Sequence, residues 1–554
     1  MKQAIALLIA AALLLSAAAC GRADPTASPD FLPLIPRPNG KVEVSGGYLA
    51  LPAVLRIEAQ DFPGEFFRVY ARRAGIEVAI DDPDPPSWEG SPFFLAASID
   101  KDLPPEAYRL RVAGEGVQIE AADDKGLCWA LATLAALTKD GSLPRCEIED
   151  APGFAYRGFL LDSARHFFPV ETVKSLIELT SMVKINAFHW HLTDDQGWRI
   201  ETKRFPALHE QCAPDFYTQD EIREVVGFAR LRGVEVIPEI DLPGHATAIL
   251  AAYPKLGCSE KPVALAENAG IRSVILCAGK DSVFDTLDPL LEEIAALFPS
   301  PRFHLGGDEA PKDEWSKCPN CARRMGEEGL RDLDDLQGWF TARLARPLID
   351  GGKQIICWNE SLLSPRLLEE VPDLTGEFWA EVHALGATRR FWERGGDMIF
   401  AGEFAAHLDL PYGAVPLKKS YNYGPGVLGF KGKGLPALGL EACVWTEYIA
   451  TRERLAALAF PRAYAIAEAA WTRPENKDYK GFLARLDAWL ARFPGIGFTP
   501  AKKADPSFIE GWKEKIAFFR SFSEFLDKDS QEDKAGTGGR LHWRYMLWVA
   551  WNFI

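Results

Sequence analysis

Clustered lysine and arginine are missing from this chain of 554 residues, whose formal charge is −16. A surface that grips a phosphate backbone needs such clusters, so the composition argues against nucleic acid as a partner and, more weakly, against polyanionic substrates. Also missing is an apolar run long enough to cross a bilayer. The best candidate, Ala4 to Leu15, is shorter than the ~20 residues that a spanning helix takes. No Gly-x-Gly-x-x-Gly opens a helix, which disfavours a dinucleotide-binding, doubly wound sheet. Cys318-Pro319-Asn320-Cys321 has the spacing of half a zinc site, but no second Cys-x-x-Cys and no suitably spaced His pair completes it. A local disulfide or two inert thiols is the reading there.

What is present begins with a targeting pattern. Lys2, the apolar run and Ser16-Ala17-Ala18-Ala19 form a secretory signal. The Cys20 that follows resembles a bacterial lipoprotein processing site, although Ala17 stands where that motif usually has Leu. The expectation is an exported protein, periplasmic or membrane-anchored, touching the membrane through a lipid on Cys20. Nine further cysteines remain, an odd number, so at least one stays a thiol or pairs between chains.

The length calls for two or three domains. After a signal at 1–20, residues 30–150 alternate short β-rich runs (Tyr48–Ile57, Glu77–Ile80, Tyr108–Ala113, Gly116–Ala121) with a helical stretch, Gly126–Lys139, giving a small α+β domain. From 151 to 475 the texture becomes strand, loop, helix, repeated. Eight strands are predicted: Arg157–Asp162, Ile185–Leu192, Val234–Ile240, Arg302–Gly306, Gln354–Trp358, Gly376–Trp379, Met398–Glu403 and Leu438–Trp445. That count points to an α/β fold, a (β/α)8 TIM barrel, whose functional residues sit where strands end. Residues 476–554 form a C-terminal extension, helical to about Phe493, with an aromatic last stretch from Trp543 to Ile554.

Phe303-His304-Leu305-Gly306-Gly307-Asp308-Glu309-Ala310 reads as a strand that stops at two glycines and delivers two adjacent carboxylates to a loop. Glycine allows close backbone approach, and an Asp-Glu pair supplies acid/base chemistry or binds a cation. Other strand ends are loaded too, with Asp162, His189, His191, Asp194, Asp195, Glu239, Asp241, His245, Glu360, Asp409 and Glu447. Trp358, Trp379 and Trp445 lie at three more. Carboxylates mixed with indoles suit a sugar: indole covers the apolar face of a pyranose while carboxylates take its hydroxyls. The competing reading is a metal-dependent hydrolase of the amidohydrolase type, with His189, His191, His245, His304 and Asp308 as ligands. Against it, the later strands offer tryptophan rather than a histidine pair.

The pattern His304-x-Gly306-Gly307-Asp308-Glu309 closely resembles the signature of the family 20 glycoside hydrolases, the β-N-acetylhexosaminidases, and the resemblance runs from about Leu32 to about Trp471. Tyr156-Arg157-Gly158 through Arg165-His166-Phe167 resembles the family's first barrel strand, and the resemblance puts on Arg157 the part of holding sugar hydroxyls. His191-Leu192-Thr193-Asp194-Asp195-Gln196-Gly197-Trp198-Arg199 and Glu239-Ile240-Asp241-Leu242-Pro243-Gly244-His245 resemble the next two. The family pattern implies that Asp194 orients His245, which approaches Glu309, the general acid/base. It also implies a substrate-assisted reaction in which the 2-acetamido oxygen attacks the anomeric carbon while Asp308 orients the acetamide. Trp358, Trp379 and Trp445 then wall the acetamido pocket and sugar face, and Asp409 and Glu447 bind hydroxyls at the non-reducing end.

One departure stands out: His407-Leu408-Asp409 replaces the family's Tyr-Leu-Asp, so either the acetamide contact falls to His407, which ordinarily titrates near neutrality, or to another group such as Tyr412 or Tyr421, or the pocket has changed preference. Cysteines like Cys258 and Cys277 bracket a loop in bacterial relatives, which implies a disulfide between them. The resemblance thus implies exo-hydrolysis of terminal N-acetylglucosamine or N-acetylgalactosamine without metal or organic cofactor. A catalytically weak sugar-binding homologue is the alternative.

Overall fold

The computed structural model describes residues 31–517 apart from 52–53, 59–60, 81–93, 115, 269, 380–382, 429, 431–436, 494–504 and 508–509. The expected signal, Cys20 and the stretch Trp543–Ile554 lie outside the described residues. No helix among the described residues is long and apolar enough to cross a membrane.

The first domain is a seven-stranded sheet: β1 (Val42–Ala50), β2 (Val54–Glu58), β3 (Glu77–Ile80), β4 (Phe94–Ile99), β5 (Tyr108–Ala113), β6 (Gly116–Ala121) and β7 (Ser142–Asp150), in the order β1-β7-β5-β6-β4-β2-β3. In β5, Tyr108, Leu110 and Val112 are buried while Arg109 and Arg111 are exposed, the alternation of a strand covered on one face. The cover includes helices Gly64–Ala74 and Asp124–Leu137. The second starts before the expected Gly126 because Asp123 caps it, accepting from the Gly126 N–H at 2.8 Å. The run Tyr48–Ile57, expected as one segment, is split between β1 at one edge and β2 near the other. Pro52, which has no N–H to give a ladder, stands between them in sequence.

The second domain is a closed parallel barrel of β8 (Tyr156–Asp162), β9 (Ala187–His191), β12 (Glu235–Glu239), β13 (Arg302–His304), β14 (Gln354–Trp358), β15 (Thr375–Phe378), β16 (Met398–Phe400) and β17 (Gly439–Val444). Two-residue strands β10 (Thr193–Asp194) and β11 (Gly197–Trp198) form a hairpin in the loop after β9. All eight predicted strands are there, so the (β/α)8 expectation holds. Register pairs Asp162 with His191, His191 with Glu239 and Glu239 with His304, so these strand ends share one rim.

The interior is layered. Tyr156, Ala187, Ile237, Ile356 and Ile399 form an apolar plate at the strand starts. Above it His189 lies 2.9 Å from Glu441 and 3.2 Å from Glu239, and His304 lies 3.1 Å from Glu239. Leu160, Trp358, Ala401 and Cys443 close this ionic layer from the mouth, with Trp379 and Trp445 packed on them. Each of these four groups has an acid or base partner within 3.2 Å, which offsets the cost of burying it.

Arg157 lies at the opposite end. As the second residue of β8 it sits where the strand starts, fully buried, bonded to Glu106 of the first domain and to the Lys184 carbonyl at 2.8 Å. Its guanidinium lies 5.5 Å from the Trp129 ring and 4.9 Å from the Trp471 ring. The expectation that Arg157 holds sugar hydroxyls is therefore corrected: it fastens the two domains together.

Candidate active site

Asp308 and Glu309 leave β13 through Gly306 and Gly307, at φ 66° and 99°. A Cβ on Gly306 would lie 1.9 Å from Asp241 Oδ1, and one on Gly307 2.2 Å from Ser361 Oγ, so the backbone passes where only glycine fits. The Gly307 N–H donates to Asp241 Oδ1 at 2.9 Å, and its carbonyl accepts from Gln337 Nε2 at 2.7 Å. Glu309 and His245 themselves hold φ of 45° and 48°. Left-handed backbone costs a non-glycine residue about 1–3 kcal/mol, and such strain collects at functional sites. It lies on the two adjacent loops after β12 and β13.

These loops meet at His245. Its Nδ1 lies 3.1 Å from Asp194 Oδ1, while Nε2 faces Asp308 Oδ2 at 3.8 Å and Glu309 Oε2 at 3.7 Å. Burial disfavours charge on the ring, but Asp194 and Asp241 override it and keep the imidazolium far above the usual histidine range. Burial likewise opposes the Asp194 charge, and Arg165 and His245 outweigh it, holding that carboxyl far below the ordinary value. Asp308 goes the other way. Burial raises it to about 6, with the Glu309 charge adding to the rise and His245 opposing it. Asp195 locks the frame, accepting from the Thr247 N–H at 3.0 Å just past His245.

Across the mouth, Arg165 lies 2.8 Å from Asp194 and 3.9 Å from Glu447, with its guanidinium 5.2 Å from the Trp445 ring. Asp162, the last residue of β8, accepts from the Arg165 N–H at 3.0 Å and from the Thr446 N–H at 3.0 Å, joining the first and last barrel loops. Burial raises Asp409 well above its ordinary value, and the Glu447 charge adds to that. Burial also raises Glu447, with Arg165 opposing. Arg165, Asp409 and Glu447 thus form one polar group at the mouth, the end of the barrel that Arg157 does not reach.

The three tryptophans gather as expected in place. Trp358 donates Nε1–H to Glu239 at 2.7 Å and lies 5.8 Å from Trp445, and Trp379 donates to Glu360 at 2.9 Å. Trp379 stacks on His407 at 6.4 Å with 13° between the planes. Burial lowers His407 to about 3, so its ring stays neutral near physiological pH, contrary to the expectation of a group titrating near neutrality. The ring bonds the Ala401 backbone, and Nε2 has no partner among the described residues. Tyr412 donates to the Phe460 carbonyl at 2.8 Å, and Tyr421 packs on Tyr479 and Phe482 of helix Tyr479–Arg492, so neither substitutes for His407.

The histidines imagined as one metal site divide. His189, His191 and His304 surround Glu239 inside the barrel, whereas His245 and Asp308 face each other at its mouth. The indole faces, the paired carboxylates and the imidazole behind them suit acid/base chemistry on a sugar.

Residues 154–474 match the model of the glycosyl hydrolase family 20 catalytic domain, and residues 32–151 match that of the family's domain 2. The chain belongs to glycosyl hydrolase family 20. It is 36% identical to a β-hexosaminidase of Porphyromonas gingivalis over 77% of this chain and 58% of that longer protein. It is 33% identical to a β-hexosaminidase of Vibrio furnissii over 79% of this chain and 76% of the relative. Of solved structures, a β-N-acetylhexosaminidase from Bacteroides fragilis superposes with a TM-score of 0.75 at 33% identity, covering 84% of this chain and 97% of that one. An exo β-N-acetylglucosaminidase from Vibrio harveyi in complex with N-acetylglucosamine gives 0.74 at 31%, covering 87% and 80%.

Two sequence-based readings change inside this family frame. Arg165 was legible as the first cation beyond the end of β8, and strand polarity alone disqualifies Arg157. The implied disulfide between Cys258 and Cys277 is not formed, nor is one between Cys318 and Cys321: none of the four is in a disulfide. Their sulfurs instead converge within 4.8 Å of one another.

Proposed function

We propose that the protein is an exo-acting β-N-acetylhexosaminidase, releasing terminal N-acetylglucosamine or N-acetylgalactosamine with retention by a substrate-assisted reaction. The observation that carries this is the convergence of Asp308 Oδ2 and Glu309 Oε2 on one His245 nitrogen, at 3.8 and 3.7 Å. Glu309 protonates the leaving oxygen, then takes a proton from water. Asp308 receives the acetamide N–H and stabilises the cyclic cation formed when the acetamide oxygen attacks the anomeric carbon. The Asp194–His245 pair presents positive charge to both groups. Trp358, Trp379 and Trp445 cover the sugar, while Arg165, Asp409 and Glu447 bind the hydroxyls of its far end, which supports action on a terminal residue.

Release of 4-nitrophenol from the two β-N-acetylhexosaminides tests this, with wild type beside Asp308→Ala and Glu309→Gln. Turnover abolished in both variants supports it, as does failure on the matching glucoside, which lacks the acetamide. Equal turnover of that glucoside would refute substrate assistance. His407, whose Nε2 is left an acceptor when its other ring nitrogen donates to the Ala401 backbone, favours one second reading: a sugar-binding homologue of low turnover. Tight binding of N-acetylglucosamine without hydrolysis would select it. The same proposal includes export and a lipid on Cys20, tested by palmitate labelling of cells producing wild type or Cys20→Ala.

A further inference from the structure

Cys258 and Cys277 belong to the long segment after β12, which also carries His245; Cys318 and Cys321 belong to the segment after β13, which also carries Asp308 and Glu309. These pairs, distant in sequence, meet in space. Cys258 Sγ lies 3.9 Å from Cys321 Sγ, and Cys277 Sγ lies 3.7 Å from both Cys318 and Cys321. Disulfide sulfurs sit at about 2.05 Å. Four thiolates around a tetrahedral ion with metal–sulfur bonds of about 2.3 Å are about 3.8 Å apart. The observed spacing is that of the second arrangement.

We infer that Cys258, Cys277, Cys318 and Cys321 bind one zinc ion, a structural centre that staples the His245 loop to the Asp308–Glu309 loop. The surroundings are built for it. Cys318 precedes Pro319, the first residue of helix Pro319–Glu328, and Cys321 stands in its first turn, so one tight turn presents both thiols. On the other loop, the Cys277 N–H bonds the Leu256 carbonyl at 2.8 Å, bringing Cys258 and Cys277 side by side. The Gly279 N–H bonds the Cys277 sulfur, as backbone amides do around a metal-bound thiolate. A Cβ on Gly279 would lie 2.1 Å from the Asn320 carbonyl carbon, so the two loops touch backbone to backbone where only glycine fits. Four thiolates and one divalent ion carry a net charge of −2. Cations stand by: Lys280 Nζ bonds the Gly257 carbonyl at 2.6 Å, and an Arg323 nitrogen bonds the Gly279 carbonyl at 2.8 Å. An all-sulfur tetrahedron is the donor set of zinc or of iron; zinc, being redox-inert, is the ion for a purely structural staple.

Neither occupancy nor its measurement depends on the substrate. Full-length wild type purified without chelator is analysed for metals, then titrated with a mercurial thiol reagent in the presence of a zinc indicator. About one zinc per chain, released as the four thiols react, is expected. Cys258→Ser and Cys321→Ser should lose the zinc, whereas Cys146→Ser, in the first domain, should keep it. If the serine variants fail to fold, the wild-type metal content and its thiols, alkylated under non-reducing denaturation, decide alone. Peptide mapping that finds disulfides among these four cysteines, metal-free protein with reactive thiols, or iron in place of zinc would each overturn the assignment. Zinc removal should also lower Tm and slow turnover, both restored by adding zinc back.

Discussion

Asp194 Oδ1 stands 3.1 Å from His245 Nδ1, and the other nitrogen of that ring points at the carboxyl pair of the next loop. The pairing fixes both the orientation and the charge of the imidazole. Asp194→Asn removes the charge that holds the proton on His245 but keeps a group of the same size. Turnover of the 4-nitrophenyl substrates should fall by about 10²–10⁴-fold, the usual worth of a positioned acid/base system, with KM changed little. A variant with near wild-type turnover would show the dyad to be structural.

Arg165 and Arg157 should separate cleanly in a parallel experiment. Arg165→Met removes a cation from the mouth and should cut kcat/KM by about 10²-fold or more, through contacts made to sugar hydroxyls. Arg157→Met takes from buried Glu106 its nearest cation and leaves Lys125 at 3.8 Å; breaking a buried pair costs up to about 3–5 kcal/mol. Its folded fraction should nonetheless keep kcat/KM within a few-fold of wild type. Thermal melting and steady-state kinetics on both variants give the comparison, and reversed outcomes would return the sugar-binding part to Arg157.

Ionising Asp308 should cost the fold stability. Its carboxyl is raised from 3.8 to about 6 by burial, so the folded state favours the proton. The penalty is absent below pH 3.8, grows as pH rises toward 6, and is complete above. With its side chain still 14% exposed, a value of about 2 kcal/mol is reasonable. Asp308→Asn should therefore be more stable than wild type at pH 7.5, with the gain shrinking toward zero near pH 4. Urea unfolding at the two pH values measures it, and a gain that grows on acidification would have the wrong sign.

His407 should leave no mark on the pH profile. Burial lowers it to about 3, so it is neutral throughout the working range. His407→Gln is expected to reduce kcat, yet the acid and base limbs of kcat/KM between pH 5 and 8 should stay where wild type has them. A limb that moves or vanishes in this variant would mean that the ring titrates there.

The barrel was readable because its strands are short apolar runs between turn signals, and the eight expected segments differ from the observed ones mainly at their ends. Arg302–Gly306 was read too long: β13 stops at His304 because Gly306 already has positive φ. Met398–Glu403 overran likewise, since Glu403 begins a helical turn. The carboxylates and tryptophans of the mouth could be named from their places at strand ends. Arg157 stands at the start of β8 rather than its end, so the same rule puts it at the far side of the barrel; the motif, which gives composition without polarity, was the misleading signal. The four cysteines were illegible for another reason. Their pairs come from different loops, and spacing along one loop carries no information about the other.

At the end of the barrel away from the mouth, Arg157 rests between Trp129 and Trp471, while Lys184 reaches Asp150 of the first domain at 2.7 Å. A single buried core runs through both units, from Phe67 and Trp129 to Phe188 and Trp471. Inheritance of the two pieces is thereby coupled. A barrel copied or cut free of residues 31–150 would lose the Glu106 and Asp150 carboxylates that pair with Arg157 and Lys184 and would lay bare the apolar surface shared with Trp129, so a shortened version of this chain would have to rebuild that face before it could stand alone.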